Sequence, residues 1–271
     1  MRTNLKLLAA LFAATAMLIA QSAPASAIAY GQPDGNGHPY GGLLVVDWLD
    51  ANDQFGTDGA VEPFCSLTLV APRVAITAGY CVDFLELASP GASARPVGVT
   101  FAEKWAPGTK LLYGSLVVSP YRSQGDDLAA VVFAQYVHID PARLPAAGLL
   151  DGLAADRMLT GMLVQSVGYG SHEPSSGQGG RTFDFPRLPG VRQVATSAVT
   201  TLAAHTVNYD QNPAHGFGGG CNGDGGGGVF SGNTIVGVMT EGDAACRAYG
   251  VNVRLDTPTA QSFLDTLVNA R

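Results

Sequence analysis

Charged side chains are scarce in this chain, and basic ones are scarcer than acidic ones. Only 14% of the 271 residues are Asp, Glu, Lys or Arg, with 15 basic against 22 acidic side chains. A surface with this balance does not attract phosphate backbones or anionic lipids, so we expect neither nucleic acid nor a membrane as a partner. Long apolar runs are also missing after residue 20, so no later segment is predicted to span a membrane.

The one long apolar run stands at the start of the chain. It covers residues 7–20, follows Arg2 and Lys6, and precedes the small-residue pattern Ala25-Ser26-Ala27. This arrangement is typical of a secretory signal peptide, which we assign to residues 1–27. Its removal leaves 244 residues with a formal net charge of −9, which we expect to be a secreted, extracellular monomer.

Metal-ligand spacings are missing as well. The chain has four cysteines and five histidines but no CxxC or HxxxH pattern. Zinc sites in proteins commonly use such closely spaced ligands, so we predict no metal site, and we expect no cofactor. Four cysteines in an exported chain indicate two disulfides, and composition alone allows three pairings.

Short β-like segments fill most of the remaining chain. β-branched and alternating residues dominate them, and Gly, Pro, Asp and Asn separate them. Strands at close spacing without intervening helices favour an antiparallel barrel or sandwich. The predicted strands lie at 42–49, 65–71, 73–78, 110–119, 127–133, 162–170, 191–202, 234–240 and 248–255.

One helix is predicted, close to the end of the chain. Thr257 suits an N-cap and Pro258 suits the first helical position. An apolar stripe at helical spacing follows, and we expect it to pack on the second half of the fold. The stripe consists of Phe263, Leu264, Leu267 and Val268.

Three separated motifs carry chemical information. They are CSLTLVAPRVAITAGYC at 65–81, DDLA at 126–129 and CNGDGGGGVF at 221–230. In this order they resemble the trypsin/chymotrypsin-like serine protease family, with its CGGTLI…VLTAAHC block, its D-I-A-L strand start and its C-x-G-D-S-G-G-P loop. Weaker likenesses extend the resemblance over the whole mature chain; they lie at 28–31, 167–170, 237–240 and 250–254, and in the C-terminal helix.

The resemblance implies an all-β fold of two antiparallel six-stranded β-barrels followed by a C-terminal α-helix. We expect the first barrel at about 28–138 and the second at about 158–256, with the helix at about 257–270. The connection between the barrels is expected at about 139–157, where the Pro- and Ala-rich segment 140–156 lacks strand alternation.

The resemblance also places the catalytic positions, and two of them have changed. Asp127 matches the family's catalytic aspartate, whereas Tyr80 stands at the histidine position and Gly225 at the serine position. The family mechanism needs a serine hydroxyl as nucleophile and a histidine that takes its proton. Glycine offers no nucleophile, and a phenol with a pKa of about 10 is a poor base at neutral pH. We therefore predict no useful peptidase activity by that mechanism.

Other parts of the family's site do not depend on these side chains. The backbone N–H groups of Gly223 and Gly225 match the oxyanion hole, which needs no side chain. The resemblance further implies an ion pair between Asp224 and the α-amino group of Ile28, which cleavage after Ala27 would create.

The specificity pocket of the family maps onto three glycines. Gly219 stands at its base, while Gly242 and Gly250 stand at its walls. Because the trypsin branch has an aspartate at the base, a preference for Lys or Arg is not indicated, and we expect an open, apolar pocket. The resemblance also pairs the cysteines, Cys65 with Cys81 and Cys221 with Cys246.

Three classes of function stay open at this point. The leading hypothesis is a catalytically inactive protease homologue that binds a protein or peptide in the former cleft. The alternative is an active extracellular endopeptidase, either with a rewired nucleophile such as Ser66 or with recent or engineered substitutions, since His to Tyr and Ser to Gly each need one base change. The third class is a structural or surface protein, which a peptide-sized cleft would argue against and a cleft filled by the Tyr80 ring would favour.

Overall fold

Strands of the first barrel are rich in small, β-branched and leucine residues, and all of them except the strand Leu112–Val118 are buried almost continuously. The computed structural model describes residues 28–46, 62–88, 90–171 and 190–269. Six antiparallel strands close in the order β2-β3-β4-β7-β6-β5. They are β2 (Gly41–Val46), β3 (Glu62–Ala71), β4 (Val74–Ala78), β5 (Val97–Thr100), β6 (Leu112–Val118) and β7 (Leu128–Phe133).

The second barrel follows the same plan. Its six strands run in the order β9-β10-β13-β12-β11-β8, and antiparallel pairing of β8 with β9 closes the ring. The short strand β1 (Gln32–Pro33) pairs with β9 and so attaches the N-terminal segment to this barrel. The members are β8 (Leu163–Gly168), β9 (Gln193–Leu202), β10 (Thr206–Asp210), β11 (Gly228–Ser231), β12 (Thr234–Gly242) and β13 (Tyr249–Arg254). The predicted double barrel is therefore confirmed.

Three α-helices occur in the described part of the chain. Helix α1 (Gly79–Ala88) follows β4 directly, α2 (Leu149–Ala155) belongs to the chain segment that connects the two barrels, and α3 (Pro258–Val268) is the last element. The Thr257 hydroxyl accepts a hydrogen bond from the N–H of Ala260 at 3.2 Å, which confirms the predicted N-cap. No helix in the described ranges is long and apolar enough to cross a membrane.

The apolar face of α3 differs from the prediction in two respects. Phe263 and Leu264 are buried, but Val268 is 38% exposed because it lies in the last turn, beyond the core. The buried residues join a core cluster that contains side chains of both barrels, rather than of the second barrel alone. The hydroxyl of Ser262 also lies 3.1 Å from that of Tyr121, in the connection between β6 and β7.

Several short elements were not predicted from the sequence. Strands β1, β5, β10 and β11 have two to five residues each, too few to show alternation, and they form because longer neighbours pair with them. Helix α1 was not predicted either, because its first turn is formed by the last residues of the motif at 65–81 and the sequence there has no recognisable N-cap. Of the predicted first strand, residues 47–49 lie outside the described part, as does the predicted signal peptide.

A buried arginine joins the N-terminal segment to both barrels. Arg192, just before β9, is fully buried, and its Nε lies 2.9 Å from an Asp34 carboxylate oxygen. Nη2 donates to the Asn36 side-chain oxygen at 2.7 Å. Nη1 donates to the backbone carbonyls of Gly41 and Phe101 at 3.0 and 3.1 Å. One guanidinium thus holds the segment that follows Ile28 in place.

Candidate active site

Residues from both barrels line one cavity of about 400 Å³. The first barrel contributes Tyr80 and Phe84 from helix α1 and Asp127 from the start of β7. The second barrel contributes the loop 220–225 and the segment 239–246, which covers the end of β12. The cavity therefore brings together most of the positions that the sequence singled out: Tyr80, Asp127, Gly223, Asp224, Gly225 and Gly242.

Tyr80 and Gly225 fill a single space. A Cβ atom placed on Gly225 would overlap the Tyr80 hydroxyl oxygen. The phenol therefore occupies the volume that any side chain at position 225 would need. The sequence identified both positions but gave no sign that the larger residue at one depends on glycine at the other.

The phenol is a donor rather than a base. Burial raises the pKa of Tyr80 above its ordinary value, and the nearby carboxylates of Asp224, Asp127 and Glu241 raise it further. The hydroxyl consequently keeps its proton at neutral pH and can donate a hydrogen bond, but it cannot take a proton from a nucleophile.

The loop 220–225 beside Tyr80 contains two N–H groups without an acceptor in the part of the chain that the structure describes. The carbonyl of Gly225 accepts a hydrogen bond from the N–H of Ser66 at 2.9 Å, and the N–H of Gly226 donates to Met239 at 2.8 Å. Within the described part of the chain, the N–H groups of Gly223 and Gly225 have no acceptor. Gly223 has φ of 90°, in the left-handed region that favours glycine.

Asp224, in the same loop, is completely buried. Its two carboxylate oxygens accept hydrogen bonds from the N–H groups of Gly170 and Cys221, each at 2.8 Å. Burial raises the pKa of Asp224 well above its usual range, because two N–H groups compensate only part of the lost hydration. No cationic side chain pairs with this carboxylate among the described residues.

A comparison with protein families settles the family. The Trypsin family model matches residues 50–262. This chain belongs to the trypsin family. The solved structures that resemble it include the human heparin binding protein, at 18% identity and a TM-score of 0.63, and HL collagenase, at 15% and 0.61. Each likeness covers 90% of this chain and 98% of the other, and identities this low establish the fold alone. No curated protein sequence matches the chain.

Both disulfides have the pairing that the trypsin family implied. Cys65–Cys81 joins β3 to the first turn of α1, and Cys221–Cys246 joins the Gly225 loop to the segment after β12. Each bond therefore fixes one wall of the cavity. Such cross-links commonly contribute about 2–4 kcal/mol to stability, chiefly by restricting the unfolded chain.

The retained aspartate of this trypsin-family site has a partner that the sequence did not reveal. Nε of Arg122 lies 2.7 Å from one Asp127 oxygen, and the N–H of Tyr80 donates to the other at 3.2 Å. The remaining guanidinium nitrogens reach both oxygens of Asp83, at 2.9 and 2.6 Å. A single guanidinium thus pairs with two carboxylates, those of Asp127 and Asp83. In the family mechanism the carboxylate at the position of Asp127 faces the histidine.

Gly79 makes this arrangement possible. A Cβ on Gly79 would overlap both the Arg122 Nε and the nearer Asp127 oxygen. The family's VLTAAHC motif has alanine at this position. Glycine at 225 therefore leaves room for the Tyr80 phenol, and glycine at 79 leaves room for the ion pair of Arg122 with Asp127.

Ser66, the suggested substitute nucleophile, does not face the cavity. It is fully buried, its Oγ accepts a hydrogen bond from the Tyr169 N–H at 2.9 Å, and it donates to the Gly223 carbonyl at 3.3 Å. The hypothesis that Ser66 replaces the missing serine is therefore wrong. In the described ranges no three His, Cys, Asp or Glu side chains are grouped as metal ligands would be.

The specificity pocket is not open as the sequence predicted. The ring of Tyr209, on β10, occupies the space between two of the three predicted pocket glycines, Gly219 and Gly250. These two glycines do not line the cavity, whereas Gly242 does. The prediction of an open pocket is wrong because the Tyr209 ring fills the space. The sequence did not reveal this ring because the strand β10 that carries it was not predicted.

Ile28 lies close to the loop that contains Asp224. Its side chain is fully buried in the core of the second barrel. The next residue, Ala29, exchanges two backbone hydrogen bonds of 3.0 Å with Gly219. In the full-length chain the Ile28 nitrogen is an amide, so the ion pair with Asp224 stays a prediction for the chain cleaved after Ala27.

The charge of Asp224 should make the stability of the uncleaved chain depend on pH. The pKa of Asp224 is raised in the folded chain, so the protonated carboxyl contributes fully to the free energy of unfolding below about pH 4, the ordinary aspartate pKa. This contribution is lost as pH rises through the pKa of the folded chain, at up to about 1.4 kcal/mol per pH unit. The freed amine of Ile28 should remove this loss. We expect a chain acetylated at a retained Ala27 to lose stability relative to the chain starting at Ile28 between pH 4.5 and 7.5, measured by urea unfolding. Identical pH profiles would contradict the ion pair.

Proposed function

We propose that this chain is a secreted trypsin-family protein without catalytic activity, which binds a protein or peptide in its former active-site cleft. The observation that carries the proposal is the overlap of the Tyr80 hydroxyl with the place of a side chain at Gly225. A nucleophilic side chain at position 225 and the Tyr80 phenol cannot occupy the same space, so the packing of the site excludes the nucleophile that catalysis needs.

The rest of the lining supports the absence of acyl-transfer chemistry. Among the described residues the cavity is lined by no serine and no histidine, and its two cysteines form a disulfide. Its only threonine, Thr240, donates its hydroxyl hydrogen bond to the carbonyl of Val251 at 3.1 Å. Tyr80 is a poor base because its pKa is raised.

The features needed for binding support the second half of the proposal. The cavity of about 400 Å³ is open to solvent and is large enough for part of a peptide. The N–H groups of Gly223 and Gly225, which have no acceptor among the described residues, are available to a ligand carbonyl. A cleft with free donors argues against a purely structural protein.

Recent or engineered loss of activity is the less supported reading. If only positions 80 and 225 had changed recently, the neighbouring residues should still be those that accommodate a histidine at 80 and a serine at 225. Instead, Gly79 and Arg122 fit the new arrangement around Asp127. No described side chain favours the alternative of an active endopeptidase.

Catalytic inactivity can be tested on the purified chain starting at Ile28. We expect no mass increase after incubation with a fluorophosphonate probe, which reacts with activated serines, and no cleavage of casein. A covalent adduct within the loop 221–228, or casein hydrolysis that survives further purification, would overturn this part of the proposal.

Binding can be tested with a small protease-inhibitor protein that presents an extended reactive loop. With alanine at the central loop position, we expect measurable binding by calorimetry and no cleavage of the loop. Glu241→Trp, at an exposed position that lines the cavity, should weaken binding at least about tenfold by filling the cleft. Tyr136→Trp, at a 67% exposed position away from the lining, is the matched control. Binding that neither variant changes would show contact outside the cleft.

A further inference from the structure

We infer that Tyr209 determines which ligands the cleft admits: its ring takes the place of the ligand side chain that a trypsin-family pocket would accept, so that only glycine or alanine fits at that position. The inference rests on the proposed binding function and adds the class of ligand. It follows from the position of one fully enclosed aromatic ring between two glycines.

The ring contacts the backbone of both pocket glycines. A Cβ placed on Gly219 would lie 2.8 Å from Cε2 of Tyr209, and one placed on Gly250 would overlap the ring. Real Cβ atoms essentially never approach other heavy atoms this closely, so glycine at both positions is what allows the ring to enter. The two glycines that the sequence assigned to an open pocket therefore serve to enclose Tyr209.

The ring is held on several sides. Tyr209 is 1% exposed and belongs to a core cluster that includes Ile28 and Met239. Its hydroxyl accepts a hydrogen bond from the Gly220 N–H at 3.2 Å. In the sheet, Tyr209 pairs directly with Gly250 on β13. A side chain with this burial and bonding is part of the folded core.

The consequence for a ligand follows from volume. In the proposed binding mode a ligand carbonyl accepts from the N–H groups of Gly223 and Gly225, and the resemblance to the trypsin family then places the adjoining ligand side chain at the space between Gly219 and Gly250. Because the Tyr209 ring fills that space, a side chain larger than a methyl group has to stay outside the cleft or displace the ring. A peptide with glycine or alanine at this position can keep its backbone contacts to Gly223 and Gly225 while Tyr209 stays in the core of the protein.

Four versions of one inhibitor protein test the inference, with Gly, Ala, Phe or Lys at the central loop position. We expect the wild-type chain to bind the Gly and Ala versions at least about tenfold more tightly than the Phe and Lys versions. Equal or tighter binding of the Phe or Lys version would overturn the inference, because the pocket would then be accessible.

Tyr209→Gly should reverse this preference. We expect its affinity for the Phe version to rise at least about tenfold, and p-cresol, which replaces the lost side chain, to raise its Tm. Phe230→Ala opens a space at a fully buried residue of the second barrel whose ring packs in the core cluster shared by the two barrels and does not line the cleft. It should gain no affinity for the Phe version. Tyr209→Phe, which keeps the ring, should retain the wild-type preference.

The inference and the proposed function can fail separately. If no version binds the wild type but the Phe version binds Tyr209→Gly, the binding function fails and the role of Tyr209 stands. If the wild type binds all four versions equally and Tyr209→Gly changes nothing, the binding function stands and the inference fails. Should Tyr209→Gly not fold, the order of the four affinities in the wild type still decides.

Discussion

The double variant Tyr80→His, Gly225→Ser, which supplies the histidine and serine of the trypsin-family mechanism, is expected to react with a fluorophosphonate probe. Its labelling rate should exceed the background rate of either single variant by roughly 10³-fold, because nucleophile and base act as a unit. Gly225→Ser alone should not react, since Tyr80 occupies the space of the new side chain. Tyr80→His alone lacks a nucleophile.

The retained aspartate should limit the double variant. Arg122 holds the Asp127 oxygen that would otherwise orient a histidine at position 80. Adding Arg122→Ala is therefore expected to increase the labelling rate by about tenfold or more, while adding Asp127→Asn should lower it. Peptide cleavage should still lag behind labelling, because Tyr209 closes the pocket that a substrate side chain would enter. Rapid labelling of Gly225→Ser by itself would contradict this description of the site.

Replacing Arg192 by methionine should have the largest effect on stability. The change leaves the buried Asp34 carboxylate with His38 but without Arg192, and loss of one partner of a buried ion pair costs up to about 3–5 kcal/mol. Burial acts to raise the pKa of Asp34, but hydrogen bonds from His38 and Arg192 lower it to about 2. Part of this stabilisation should therefore be lost as pH falls from about 4 towards 2 in the wild type.

Urea unfolding at neutral pH measures the effect of Arg192→Met directly. Arg143→Met is a suitable control, because Arg143 is exposed and substitution of such residues usually changes stability by less than about 0.5 kcal/mol. A loss below about 1 kcal/mol for Arg192→Met would show that the network around Asp34 contributes far less than its burial indicates.

The sequence was informative wherever the relevant signal lies within one segment. Alternation in long strands such as β9 and the Thr257-Pro258 start of α3 were readable directly. The order of three motifs led to the double barrel and placed Tyr80, Asp127 and Gly225 in one cleft. The shape of the cleft could not be predicted from the sequence, because it depends on contacts between residues far apart in the chain.

Three contacts illustrate this limit. Tyr80 and Gly225 are 145 positions apart, and only the structure shows that the Tyr80 phenol occupies the space of a side chain at position 225. Arg122 lies in a connection with no motif, yet it forms an ion pair with Asp127. Tyr209 lies in an unpredicted strand, yet it closes the pocket. Each of these results comes from volume or charge in three dimensions, which one-dimensional patterns do not record.

The central claim is that the Tyr80 phenol occupies the place of a side chain at position 225, and a double-mutant cycle tests it most directly. Gly225 does not have a positive φ, so alanine can adopt its backbone conformation without strain. In the wild type, Gly225→Ala should lower the free energy of unfolding by about 1–3 kcal/mol through overpacking. In a Tyr80→Ala background the cost should fall below about 0.5 kcal/mol, a coupling of at least about 1 kcal/mol. The same cost in both backgrounds would contradict the claim.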